Sequence, residues 1–277
     1  MREQTVAIYC LLDDLLRVVQ PTGSHKPDPR RRLTDAQVLT TALLAARYFG
    51  GNLVVAQRYL EQHWGMKSLD KSGFCRHLHR LADTLWALFA AFGTLIKQLS
   101  CQSYYVIDSF PVAVCHNTRI ERCRLLQGEA YRSRSASKRC WFYGFKVQVV
   151  LSAEGIPVDC YIHAGAEADI TGLKALSPQL PAGSVLYGDA AYTDYAWEEL
   201  FAEATGGRLL AARRGNSKRP HHPAESFLIQ HHRKAVETAF STLTARFPKQ
   251  IHAVTAHGFV LKLLLFVFTH ALAQVGR

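Results

Sequence analysis

Three acids draw attention by where they fall. Asp108 ends a short apolar β-type run from Tyr104 to Ile107, Asp189 follows the apolar run Ser184 to Tyr187 and a glycine, and Glu237 lies within a long helical stretch from about Ala224 to Phe247. Carboxylates converging from separate elements offer the hard oxygen donors that Mg²⁺ or Mn²⁺ takes, and such ions keep waters and accept substrate phosphate, so a few acids suffice. Two ions about 3.5–4 Å apart suit in-line displacement at a phosphodiester, a poor electrophile whose own charge repels nucleophiles. Taken singly, each acid has a plainer role. An Asp at a strand end commonly caps a turn or helix, and Glu237 can pair with Arg233 one turn before it. The chemistry depends on all three meeting.

Periodicity supplies the elements that would bring them together. Phe145, Val147, Val149 and Leu151 alternate with Lys146 and Gln148, turn at Ala153-Glu154-Gly155 and return through Ile156 to Ile162, which is a hairpin. Asp169 is expected to cap a helix through Ser177, stopped by Pro178 and Pro181. Thr193 or Asp194 caps another to about Ala204, closed by Gly206-Gly207, and Arg208 to Ala212 makes the last strand. The first strand is expected to stop at Asp108, broken by Ser109-Phe110-Pro111. Three strands followed by helix, strand, helix, strand, helix predict an α/β fold with a mixed sheet flanked by helices, the order of the RNase H-like fold.

Residues 1 to about 100 read as all-α. Thr34 and Asp35 can cap the run AQVLTTALLAARYF, which ends at Gly50-Gly51; a second helix runs from about Leu53 to His63 and Gly65 closes it. A turn is expected around Lys71 to Gly73, followed by one long apolar-faced helix. This trihelical pattern permits a helix-turn-helix in which Arg76, His77, His79 and Arg80 face a groove; a solvated bundle face is the other reading. The chain thus divides into a helical, DNA-binding part at 1–100 and a catalytic domain at 101–277, with a basic insertion at about 111–143.

Of 277 residues, 33 are Lys or Arg against 22 Asp or Glu, a net charge of +11 that favours a polyanionic partner, nucleic acid before an anionic membrane surface. The excess is concentrated. Pro111 to Lys146 holds eight basic residues (Arg119, Arg122, Arg124, Arg132, Arg134, Lys138, Arg139, Lys146) against Glu121 and Glu129, net +6. Thr205 to Lys234 holds seven, among them Arg213, Arg214, Lys218, Arg219 and Arg233, against Glu225, also net +6. Positive segments beside an acidic metal site would hold a DNA backbone and make affinity steeply salt-dependent. Trp141, Phe142 and Tyr143 either stack on an unpaired base or form a buried cluster.

Other chemistries find little support. Seven cysteines are scattered singly, with no CxxC pair and no signal peptide, which suggests reduced thiols and a cytoplasmic address. His116, His221, His222, His231 and His232 fit no closed zinc spacing, and neither GxSxG nor a Walker motif occurs. The apolar end, Phe259 to Val275, carries Lys262, His270 and Gln274 and reads as a buried helix, so no membrane partner is expected.

The segments YVIDSFPV, LYGDAAYTD and HRKAVETAFSTL resemble the three acidic signatures of DDE transposases encoded by bacterial insertion sequences, with the strongest likeness to insertion-sequence family 982 over roughly residues 30 to 275. The resemblance implies Asp108, Asp189 and Glu237 as catalytic, metal-holding acids, Mg²⁺ or Mn²⁺ as a pair of ions, and double-stranded DNA, both element ends and target, as partner. It further implies a homodimer on DNA and a nucleoid-associated location in the bacterial cytoplasm. Tyr192 matches the aromatic that follows the second acid, and Arg233 the arginine four before the glutamate. Gln230 and Thr244 depart from the tyrosine and lysine of related families. A structure-selective nuclease of the same fold and a catalytically inactive DNA-binding protein are the alternatives.

Overall fold

The computed structural model describes residues 1–20, 32–135 and 139–275. The chain divides into two compact units, one made of Met1–Thr94, Arg246–His252 and His257–Arg277, the other of Leu95–Ala245 and Ala253–Ala256. The C-terminal helix groups with the N-terminal helices.

The second unit is built on a six-stranded sheet of β1 (Tyr104–Cys115), β2 (Arg132–Ser135), β3 (Cys140–Ser152), β4 (Pro157–Ala164), β5 (Val185–Gly188) and β6 (Arg208–Ala211). β3 runs antiparallel to β1 on one edge and carries both β2 and β4 on the other, while β1, β5 and β6 are mutually parallel neighbours. The five long-range strands therefore lie in the order β4-β3-β1-β5-β6. Helices α6 (Asp169–Leu176), α7 (Tyr195–Thr205) and α8 (Pro223–Ala245) complete the unit. This is a mixed α/β unit, as the strand and helix order predicts.

β1 is longer than the expected strand, which stopped at Asp108. It continues to Cys115, with Pro111 paired to Lys146 of β3. Pro111 is tolerated because β5 pairs only with Tyr104 to Val106, so the rest of β1 has a hydrogen-bonding neighbour on one side alone and the missing N–H breaks no ladder. The β3–β4 turn needs a glycine twice over. Gly155 has a φ of +77°, and a Cβ there would stand 3.0 Å from Ala239 Cβ on α8.

In the first unit, α1 (Arg2–Val19), α2 (Asp35–Tyr48), α3 (Leu53–Trp64), α4 (Lys71–Arg80) and most of α5 (Ala82–Leu99) join α9 (Ala256–Val275). Thr34 and Gln37 form a capping box on α2, and Asn52 caps α3, which ends on left-handed Gly65. The expected turn at Lys71 to Gly73 is instead the first turn of α4, because Asp70 caps it by accepting the Gly73 N–H at 3.0 Å, and the single long helix is broken at Leu81. Phe268 of α9 meets Phe89 and Phe92 of α5 at ring distances of 5.4 and 5.5 Å. α9 is long and apolar enough to cross a membrane, yet 78% of its apolar window is buried inside the protein, as a core helix requires.

Candidate active site

The parallel ladder between β1 and β5 pairs Tyr104 with Val185, Tyr105 with Leu186 and Val106 with Tyr187. Asp108 and Asp189 each follow two residues beyond the last of these pairs, and the charge of Asp189 acts on Asp108. Each aspartate is half-buried and has one carboxylate oxygen fixed by a backbone donor: the Ser109 N–H holds Asp108 Oδ1 at 2.8 Å, and the Ala191 N–H holds Asp189 Oδ1 at 2.8 Å. Among the described residues, Oδ2 of each has no hydrogen-bond partner. Gly188 permits the approach, since a Cβ there would lie 3.0 Å from Tyr192 and 3.3 Å from Ile107 Cγ2.

The electrostatics follow from this placement. Burial pushes the Asp108 pKa up to about 6; the Ser109 N–H and Arg233 pull it down, while Asp189 and Asp169 add to the rise. Tyr192, 1% exposed, has its phenol held protonated first by burial and then by the charges of Asp169, Asp108 and Asp189. A buried carboxylate beside a second hard carboxylate suits a divalent cation, which would offset the desolvation and repulsion at Asp108. Among the described residues, however, no group of three or more His, Cys, Asp or Glu side chains is placed to hold a metal.

Asp169 is the residue that sequence reasoning assigned elsewhere. It does not cap α6, whose N-cap is Ala168; it accepts the Ser109 hydroxyl at 2.7 Å and pairs with Lys146 at 3.3 Å. Through Ser109 it steadies the backbone donor that fixes Asp108. Its partners, Ser109 on β1 and Lys146 on β3, are distant in sequence, so no pattern around Asp169 signals them.

The third acid behaves differently. α8 lies against β1 and β5, and His232 stacks on Tyr187 at 4.6 Å and meets the tilted ring of Tyr104 at 4.1 Å. From this helix it is Arg233, half-buried, whose charge reaches Asp108. Glu237, one turn further along, is exposed and is not among the groups acting on Asp108.

The cationic residues divide as sharply. Arg119, Arg122, Arg124, Arg134 and Arg139 are exposed and form no ion pair among the described residues; Arg132 is exposed, 4.0 Å from Glu129. Lys138 lies outside the described residues. Arg214 and Lys218 are exposed, whereas Arg213 is clamped by both oxygens of Glu198 at 2.6 and 2.5 Å and Arg219 pairs with Glu199 at 2.5 Å. Arg213 is thus a structural partner, not a backbone-binding side chain, because a bidentate pair leaves its planar fork engaged. In the first unit, His77 is also withdrawn from any groove: it is 6% exposed and bonds Asp35 at 2.8 Å. Arg76, His79 and Arg80 remain exposed.

Among known proteins, residues 98–253 match the family described as Transposase DDE domain. No curated protein and no solved structure matches the chain. The matched span opens just before β1 and closes just after α8, so it contains the Asp108–Asp189 edge and every strand of the sheet, and over more than half of its length the chain belongs to the DDE transposase domain family.

Proposed function

We propose that this protein is a transposase of the insertion-sequence type, most like family 982, which cuts DNA at the ends of its element and joins the freed end to a target. The observation that supports the reading is that Asp108 and Asp189 lie two residues past the β1–β5 ladder, within the matched domain, with the charge of Asp189 acting on Asp108. The strand order β4-β3-β1-β5-β6, with β3 antiparallel, supports an RNase H-like label for the sheet. Glu237 enters as the third acid on the strength of the resemblance alone.

Asp108 and Asp189 would hold divalent ions, Mg²⁺ or Mn²⁺, through their unoccupied Oδ2 atoms. Such ions neutralise phosphate charge and acidify an oxygen nucleophile. The protein's own contribution is orientation and charge. Ser109 and Ala191 N–H groups fix the carboxylates, Asp169 with Lys146 steadies Ser109, and Arg233 limits the repulsion that burial imposes on Asp108. In the first step a water oxygen bonds to phosphorus, the 3′-oxygen leaves and takes a proton. In the second, that 3′-hydroxyl bonds to a target phosphorus, a target 3′-oxygen leaves, and the hydroxyl proton is released.

The exposed arginines of the insertion would grip the backbone of double-stranded DNA, and a homodimer would hold two ends. The α2–α3 pair, bent by 112° over Phe49-Gly50-Gly51-Asn52, is the better candidate for a helix-turn-helix than α4, whose His77 is buried. The protein would act in the cytoplasm, on the nucleoid. Incubation with Mg²⁺, a labelled terminal inverted repeat and a target plasmid tests the reading. Joined products are expected, and Asp189→Asn should abolish them while sparing end binding. Cut but unjoined DNA would make the protein a nuclease, and shifted but intact DNA a binding protein.

A further inference from the structure

Three consecutive aromatics open β3, and they part company. Phe142 and Tyr143 are 5% and 3% exposed, whereas Trp141 is 56% exposed. Among the described residues, Trp141 belongs to no apolar patch on its own ribbon. Arg134 lies directly across from it on β2 and Arg132 is the next residue on that face, since opposed residues and alternate residues share one side of an antiparallel pair. The Arg132 guanidinium carbon stands 5.9 Å from the indole centroid, a cation–π contact. Asn117 donates to the Trp141 carbonyl at 2.8 Å, which ties the 3₁₀ segment Asn117–Arg122, with exposed Arg119 and Arg122, to the same strand.

A large aromatic left in solvent among cations is poorly matched to an apolar partner, which would have to bury the arginines without counter-charges. It is well matched to a nucleotide, whose base offers a π-face and whose phosphate offers negative charge. An indole has two faces, and Arg132 can cover only one.

We infer that Trp141, flanked by Arg132 and Arg134, is a stacking platform for an unpaired nucleobase of a DNA strand. The platform rests on the DNA-processing reading above but uses none of the residues assigned to the acid site. An unpaired strand is the occupant because a base in a duplex presents only its edge to a protein ribbon, while stacking needs its face.

The test titrates the full chain, in chelator so that nothing is cut, with a single-stranded oligothymidylate and with a duplex of equal length, reading affinity and intrinsic tryptophan fluorescence. Single-stranded DNA is expected to quench the fluorescence. Trp141→Ala is expected to lose that quenching and to bind the single strand about ten- to a hundredfold more weakly, with duplex affinity little changed, as loss of one stacked base implies. Trp141→Phe, which keeps an aromatic face, should retain most of the affinity. Wild-type affinity and quenching in Trp141→Ala, with DNA binding otherwise intact, would overturn the platform and leave the transposase reading standing. Failure of the wild-type protein to bind either DNA would overturn both. If Trp141→Ala instead loses only binding to an acidic peptide, the surface belongs to a protein partner and the platform is wrong.

Discussion

The two basic stretches carry the same net charge, +6 each, and the fold neutralises more of the second than of the first. In the insertion between β1 and β3, five arginines stand exposed with no ion pair among the described residues. In the second stretch, acids supplied by α7 and α8 meet three of the cations, Arg213 with Glu198, Arg219 with Glu199, and Arg208 with Glu225, each at 2.5 Å, while Arg214 and Lys218 stay exposed. A charge count along the chain cannot separate these cases, because the neutralising acids Glu198 and Glu199 come from a helix that precedes the stretch. What matters for a polyanion is charge left unpaired by the protein's own folding.

Substitution can break this contrast. Replacing Arg119, Arg122 and Arg124 with Gln should lower the slope of log affinity against log salt for duplex DNA by about 2.7, and affinity at ~0.1 M salt by roughly 500-fold, if each contacts one phosphate. Arg213→Gln should leave the slope unchanged and instead lower folding stability by roughly 2 kcal/mol, less than the ~3–5 kcal/mol of a fully buried pair. Electrophoretic shifts across a salt series and urea unfolding measure the two effects. Equal salt slopes for both variants would erase the distinction between the stretches.

The same question of paired and unpaired charge applies to the acids. Glu198 grips Arg213 with both oxygens, while Asp108 has only the charge of Arg233 to set against burial and the charges of Asp189 and Asp169. Its folded pKa of about 6 lies above its ordinary value of 3.8, so the native state binds the extra proton. Stability should therefore fall as pH rises from about 4 to about 6 and stay reduced above that, by up to about 3 kcal/mol. In chelator at neutral pH, Asp108→Asn should accordingly be more stable than wild type, and the difference should vanish below about pH 4. A difference that does not vary with pH would show that Asp108 is not strained by its surroundings.

Much of this was legible in the sequence, and the failures in the sheet and at the paired charges share a cause. The β3–β4 hairpin, the Asp194 cap of α7 and the strand on which Asp189 follows were readable because they depend on local alternation and turn residues. The extent of β1 was not, since Pro111 is a strand breaker except where a neighbouring strand is missing, and that is a fact about β5. The roles of Asp169, His77 and Arg213 depend on partners 23, 42 and 15 residues away, which no local pattern reports. Trp141 and Phe142 are adjacent and similar in type, and only the pleat together with the β2 arginines separates one as exposed.

The central claim is that Asp108 and Asp189 form one cation-holding edge across the β1–β5 register. Mn²⁺ titration followed by electron paramagnetic resonance, on wild type, Asp108→Asn and Asp189→Asn, tests it without reference to cleavage. Wild type should bind Mn²⁺ and release protons near pH 6 as it does so, and either substitution alone should remove most of that binding. Binding at wild-type strength in both variants would mean that the two aspartates do not share an ion.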